Sequence, residues 1–177
     1  MTLAVMRDFW VFGYGSLMWN PGFEVVERKR ATIFGLHRSL CIYSWVHRGT
    51  KQKPGLVLGL DHGGSCTGIA MRAPSEKRES VIEYLRAREL VTSVYLESWR
   101  HIRLEHGETV PALVYRVDRT SPQYTGALSL DKQAQIVRNA IGGSGHNVDY
   151  VQSTVSSMAK EGIRCHRLEY VGKAISE

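Results

Sequence analysis

Cysteine is scarce: Cys41, Cys66 and Cys165 are the three thiols in 177 residues. They are widely spaced and odd in number, with no Cys-x-x-Cys pair and no zinc spacing. That pattern argues against a disulfide scaffold or a structural zinc module. A reducing cytosol is the simplest setting, so a cytoplasmic protein is expected. No apolar run reaches the ~20 residues of a membrane-spanning helix. The opening MTLAVMRDF is too short in its apolar part for a secretory leader, and an aspartate interrupts it. Internal repeats, low-complexity tracts and linkers are missing too, so residues 1–177 are read as one domain with room for a sizeable core.

Several catalytic machines are absent as well. Gly13-Tyr14-Gly15-Ser16-Leu17 is not a nucleophile elbow, because Tyr14 and Met18 stand where glycines are needed. No Gly-Lys-Ser/Thr follows a glycine loop, so there is no P-loop. The glycines at 142–145 fall between two helical patterns, which is the wrong context for a dinucleotide. The seven histidines show no His-Glu-x-x-His. The net charge of +6 comes from 23 basic and 17 acidic residues that are scattered along the chain. The densest cluster, ERKR at residues 27–30, contains an acid, and no basic stripe is interleaved with aromatics. The charge therefore reads as a solvated surface that also suits a small anionic substrate.

What is present centres on residues 9–21, FWVFGYGSLMWNP. Phe9, Trp10, Val11 and Phe12 read as a buried strand. The chain then breaks at Gly13-Tyr14-Gly15-Ser16, where glycines let the backbone turn sharply and approach a ligand. N–H groups in such a turn converge on an anion or a developing oxyanion. Leu17-Met18-Trp19 is expected to return to the core. On spacing alone, an ordinary turn after a first strand accounts for these residues equally well.

Downstream, residues 24–30 read as a charged connection, and 31–34 and 40–45 as short strands separated by Gly35. Residues 56–60 are apolar, Asp61-His62-Gly63-Gly64 reads as a hairpin turn, and 66–72 as the returning strand. Ser75 is expected to cap a helix running to about Leu90. Glu89 lies seven residues after Ile82 and four after Leu85, which puts its carboxylate on the apolar stripe that also holds Val81. Glu79 and Glu83 fall off that stripe. Burying a carboxylate costs several kcal/mol unless it is paired or protonated. A structural ion pair with Arg72 or Arg88 is the alternative to a chemical role.

Residues 94–104 and 110–118 read as two strands around His106-Gly107-Glu108. Residues 131–141 read as a helix with Ala134, Val137 and Ile141 on one side, stopped by Gly142-Gly143. A last helix is expected to start at a capping Asn147, to bury Val148, Val151, Val155 and Met158, and to end at Gly162. Tyr150 lies beside that stripe, so its ring packs while its hydroxyl meets a cleft or a water. Residues 165–171 read as a final strand. A glycine cradle, one helix-borne carboxylate and a few helpers suit acid–base chemistry on a bound substrate, with no metal and no cofactor.

Taken together these pieces resemble the ChaC-type γ-glutamylcyclotransferases. The matching segments are VFGYGSLMW at residues 11–19, Arg48-Gly49, Pro54-Gly55, GIAMR at 68–72, Tyr84-Leu85 with Arg88-Glu89, Tyr124-x-Gly126, Ser144-Gly145-x-Asn147 and Tyr150. They keep the family's order across roughly residues 10 to 162. Met18, where the family often has Ile or Val, and Val151, where it often has Leu, depart without touching a candidate chemical group. The resemblance implies an α+β fold, a mixed β-barrel surrounded by helices. It also implies cleavage of a γ-glutamyl amide to 5-oxoproline, with the ChaC branch favouring glutathione and releasing Cys-Gly. Glu89 matches the family's catalytic glutamate. Val11, Phe12, Gly13, Tyr14, Gly15, Ser16 and Leu17 match its substrate-binding loop, and Arg72 and Tyr150 match positions near the substrate. The implied partner is a small molecule, with no nucleic acid and no membrane, bound to a monomer or a homodimer. The same loop and glutamate also fit cyclisation of other γ-glutamyl amino acids or amines. A non-catalytic regulator or binding protein linked to cation transport is a further alternative, as is a nucleic-acid binder drawn by the positive charge.

Overall fold

The computed structural model describes residues 8–177, so the leader reading, which rests on the first nine residues, lies largely outside the described residues. Strand β1, Phe9–Gly13, is buried at all five positions, as its unbroken apolar run requires. It pairs antiparallel with β3, Gly55–Ala73, and parallel with β5, Thr109–Val117. With β2, Glu27–Ser44, and β4, Tyr95–Leu104, the sheet closes in the order β1-β3-β2-β4-β5. Among the described residues a single parallel contact makes the barrel mixed, and four α-helices complete the expected α+β architecture.

The hairpin of β2 and β3 is longer than its sequence suggests. Both read as broken strands, with residues 61–64 as a hairpin turn that would split what is in fact the single strand β3. Instead β2 and β3 pair along 18 and 19 residues, and residues 45–54 make the connection. Gly35 at φ +84° and Gly63 at φ +103° lie across from each other where the register shifts between Phe34 and Leu36, so they bend the ribbon instead of reversing it. The half of the hairpin nearer residues 27 and 73 pairs outward with β1 and β4. The far half of β3, around Leu56 and Leu58, extends beyond β1 and leaves an edge for other partners.

Helix α1, Arg78–Glu89, follows a 3-10 turn at Ser75–Lys77, and Ser75 makes no capping bond. Helix α2, Leu130–Asn139, is capped by Ser129. It stops before Ile141, which is 54% exposed in a short ribbon of β6, Ile141–Gly142, and β7, Gly145–His146. Helix α3, Asn147–Lys160, buries Val151 and Met158 with Val148 and Val155 packed beside them. The expected final strand is a helix, α4, His166–Ala174, because Leu168 and Val171 repeat at helical spacing and bury one face. Trp19 is 38% exposed and does not return to the core with Leu17 and Met18. Among the described residues no helix is long and apolar enough to cross a membrane.

Candidate active site

β1 delivers the glycine loop to one end of the barrel. Past Gly13 the chain forms a 3-10 turn, Ser16–Met18, with Met18 N–H donating to Gly15 C=O at 2.9 Å and Asn20 N–H to Ser16 C=O at 2.8 Å. The opening N–H groups of such a turn have no acceptor within it. Two arginines hold the loop. Arg38, buried in β2, donates to the carbonyls of Tyr14 at 2.6 Å and Thr67 at 2.9 Å. Arg88 of α1 donates to the carbonyls of Asn20 at 2.7 Å and Pro21 at 3.3 Å, and to Ser16 Oγ at 3.1 Å. The loop is thus tied to the sheet at its start and to a helix at its end.

The loop borders a pocket with about 420 Å³ of free volume. Phe12, Tyr14, Gly15, Ser16 and Leu17 line it from the loop, and Glu89 from the last turn of α1. The rest of the lining is Leu58 and three tyrosines from three elements: Tyr95 of β4, Tyr115 of β5 and Tyr150 of α3. A Cβ on Gly15 would meet the Leu58 side chain at 3.7 Å, an ordinary van der Waals contact.

The free edge of β3 organises the tyrosines. Leu56 and Leu58, two residues apart, present their backbone groups to the same side. Asn147 satisfies both groups of Leu56, accepting from its N–H at 2.8 Å and donating to its C=O at 2.9 Å. At Leu58, Tyr150 Oη accepts from the N–H at 3.0 Å and Tyr95 Oη donates to the C=O at 3.1 Å. Asn147 is therefore not the helix cap the sequence suggests. It is the fully buried first residue of α3, and His146 holds the cap position. Tyr115 Oη donates to Glu97 Oε1 at 2.9 Å, and Arg86 grips the same carboxylate with two nitrogens, the closest approach being 2.9 Å.

Burial dominates the electrostatics. It raises the Glu89 carboxyl above the ordinary glutamate range, and the Arg88 guanidinium 3.4 Å away only partly opposes this. Desolvation also lifts Tyr14 and Tyr95 well above a free phenol and Tyr150 to about 12. The tyrosines are neutral hydroxyls at ordinary pH. Glu97 goes the other way, lowered first by its bond from Arg86.

Of the residues expected at the site, Phe12, Tyr14, Gly15, Ser16, Leu17, Glu89 and Tyr150 come together in one pocket. Val11 does not line it: the side chain is fully buried in the barrel, where β1 pairs with Met71 and Leu113. Gly13 ends the strand behind the pocket. Arg72 is also elsewhere, on β3 beside β1, with its guanidinium paired to Glu27 at 2.8 Å and to Asp8. Of the two arginines weighed as partners of Glu89, Arg88 is the one in contact. Sequence reasoning missed Arg38, Leu58, Tyr95 and Tyr115. Arg38 did leave a signal: it is a lone charge between Leu36 and Leu40 at the inward period of two. The tyrosines sit in ordinary strand patterns and left none.

The family model described as ChaC-like protein matches residues 9–177. A glutathione-specific γ-glutamylcyclotransferase of Escherichia coli K12 is 38% identical over 166 residues, covering 92% of this chain and 72% of that protein. Glutathione-specific γ-glutamylcyclotransferase 1 of Danio rerio is 34% identical over 153 residues, covering 84% of this chain and 78% of its own. Among solved structures, a yeast γ-glutamyl cyclotransferase specific to glutathione superposes with a TM-score of 0.85 over 96% of each chain at 21% identity, a likeness of fold.

Proposed function

The chain belongs to the ChaC-like protein family, and from that premise we propose that it is an enzyme, a glutathione-specific γ-glutamylcyclotransferase. One observation carries the reaction onto this pocket: Glu89 is the single carboxylate among the described lining residues, and burial raises its pKa.

The γ-glutamyl group of glutathione enters beside the loop with its α-ammonium against Glu89. Glu89 removes a proton from the ammonium, and the freed amine attacks the γ-carbonyl carbon of the same group. A five-membered ring closes through a tetrahedral oxyanion. The C–N bond to cysteine then breaks as Glu89 returns its proton to the departing nitrogen, and the ring nitrogen gives its second proton to the freed amine, which leaves as an ammonium. The products are 5-oxoproline and Cys-Gly. The nucleophile is already tethered, so the protein's main task is to hold one conformer. A carboxylate with a raised pKa serves as base and then as acid.

The oxyanion needs donors, and the hydroxyl bonds indicate which are available. Tyr95 gives its proton to Leu58 C=O and Tyr115 gives its own to Glu97. Tyr150 instead accepts from Leu58 N–H, so its proton is free for the substrate. Tyr150 and the opening N–H groups of the loop are the proposed oxyanion donors. Arg38 and Arg88 position that loop, while Arg72 and Val11 act at a distance through the barrel.

The finer reading places the protein in the cytoplasm, acting without metal, nucleic acid or membrane. Its cysteines are free thiols, and burial pushes Cys41 to about 12 and Cys66 to about 11, so both stay protonated and unreactive. The reading includes either a monomer or a homodimer.

The test is incubation of the purified protein with glutathione, with and without chelator, followed by mass spectrometry for 5-oxoproline and Cys-Gly. Equal amounts of both, insensitive to chelator and lost in Glu89→Gln, are expected. 5-Oxoproline from γ-glutamyl dipeptides but not from glutathione would keep the chemistry and change the substrate. No product from any γ-glutamyl compound would overturn the reading.

A further inference from the structure

Three sequence motifs have no place in the chemistry so far: Arg48-Gly49, Pro54-Gly55 and Ser144-Gly145-x-Asn147. The fold brings them to one spot beside the pocket. Residues 45–54 are pressed between the start of β3 and the β6–β7 ribbon. A Cβ on Gly55 would stand 2.3 Å from the Arg48 carbonyl oxygen, and one on Gly142 2.6 Å from the Arg48 nitrogen. Arg48 N–H donates to Ser44 Oγ at 2.9 Å, and Ser144 N–H donates to the His47 carbonyl at 2.8 Å. The backbone of Arg48 is therefore clamped on two faces.

Its side chain is held as well. Arg48 Nη1 donates to the His146 carbonyl at 3.1 Å, and the guanidinium carbon lies 5.7 Å from the centroid of the Tyr150 ring. Tyr150 lines the pocket, whereas Arg48 does not, so the cation stands at the pocket's rim. Arg88, the other guanidinium close by, is already committed to Glu89, Ser16 and two carbonyls. Arg48 makes no ion pair among the described residues. A pre-positioned cation with unused donors is a site for an anion.

We propose that Arg48 selects the leaving group, its guanidinium receiving the carboxylate at the glycine end of glutathione. This rests on the cyclotransferase reading of the pocket. The γ-glutamyl end must reach Glu89 inside, so the Cys-Gly portion points outward. Two residues span at most about 7 Å, enough to carry the terminal carboxylate towards the rim. The guanidinium fork matches a carboxylate, and the stack on Tyr150 removes much of the ordering cost on binding. A γ-glutamylamine has no carboxylate at that end and would forgo the contact.

The test compares wild type, Arg48→Ala and Arg48→Lys on glutathione and on glutathione whose glycine carboxylate is converted to the amide. A charge-assisted contact predicts a loss of ~10- to 100-fold in kcat/KM for Arg48→Ala on glutathione, carried mainly by KM. The same variant is expected to lose less than about threefold on the amide, while wild type itself drops ~10- to 100-fold from glutathione to the amide. Arg48→Lys should recover part of the loss, since it restores the charge without the fork. Equal losses on both substrates would overturn the proposal, because Arg48 would then serve the γ-glutamyl end or the loop scaffold. An unchanged KM for glutathione would overturn it too. Wild type that cyclises the amide as well as glutathione refutes this inference alone. Wild type that yields no 5-oxoproline from either compound or from a γ-glutamyl dipeptide removes the cyclotransferase reading, and this proposal with it.

Discussion

Two glutamates flank the same group of tyrosines and are driven in opposite directions. Glu89, on the loop-and-helix part of the lining, is desolvated and has one weak partner, so its carboxyl is raised. Glu97, behind Tyr115, is gripped by Arg86 and receives the Tyr115 hydroxyl, so its carboxyl is lowered. The first is poised to exchange a proton, and the second is a fixed anion that orients a phenol. Residue type does not separate them. What separates them is the number of donors each carboxylate meets and how much water it keeps. The same contrast divides the pocket as a whole. One part is a contiguous loop and a helix end, while the other is assembled from β3, β4, β5 and α3, with the β4 and α3 tyrosines held on the backbone of Leu58.

The strongest way to break the comparison is at Glu89. Glu89→Gln should lower kcat by ~10²- to 10⁴-fold, the usual contribution of a general acid–base, with KM little changed. In wild type, the ionised base should be lost as pH falls through a pKa above the ordinary glutamate value. The acid limb of kcat/KM should therefore lie above pH 4.5, the unperturbed carboxyl. A limb at or below it would contradict the raised carboxyl.

Next in size is the edge on which the tyrosines hang. Asn147→Ala strands both backbone groups of Leu56, at ~1–3 kcal/mol each. For a chain of this length that is a fall in Tm of roughly 4–24 °C. Calorimetry showing less than about 2 °C would mean that water or another group replaces the amide.

Glu97→Gln sharpens the comparison further. It removes an exposed ion pair and keeps an acceptor for Tyr115, so stability should change by under about 1 kcal/mol. Activity should stay within a few fold of wild type. A loss as deep as that of Glu89→Gln would mean that the two carboxylates had been assigned the wrong way round.

The smallest effect is the pH dependence of stability at Glu89. Its folded pKa is raised, so the protonated form favours the folded state, and that contribution is lost as pH rises through the folded pKa. Glu89→Gln removes the desolvated charge. Its Tm should match wild type near pH 4 and exceed it by on the order of 1–3 °C at pH 7. A variant less stable than wild type at pH 7 would show that the Arg88 contact outweighs burial.

Much of the loop side of the pocket was legible in the chain. Four apolar residues announced β1, two glycines announced the loop, and the helical period placed Glu89 on the stripe with Val81 and Leu85. Arg72, which the resemblance put near the substrate, does not line the pocket: its guanidinium turns to Glu27 and Asp8. The glycines at 63 and 64 were misread because a bulge and a turn share the same residue chemistry, and only the register with β2 tells them apart. The C-terminal helix was misread because Cys165–Val171 is short enough to suit either period, and packing against α2 and α3 decided it.

The sequence by itself determined the apolar strand, the glycine loop, the stripe that carries Glu89 and a composition without cysteine pairs, since each depends on residues within a few positions of one another. It took the folded chain to show that Asn147 completes a sheet edge, that Tyr95 and Tyr150 share one leucine's backbone, and that Arg48 lies over the Tyr150 ring. Those arrangements join residues about forty to a hundred positions apart. Local propensity does not act across such distances, and only the folded barrel with α3 packed against it brings the backbone of Leu58 within reach of both Tyr95 and Tyr150.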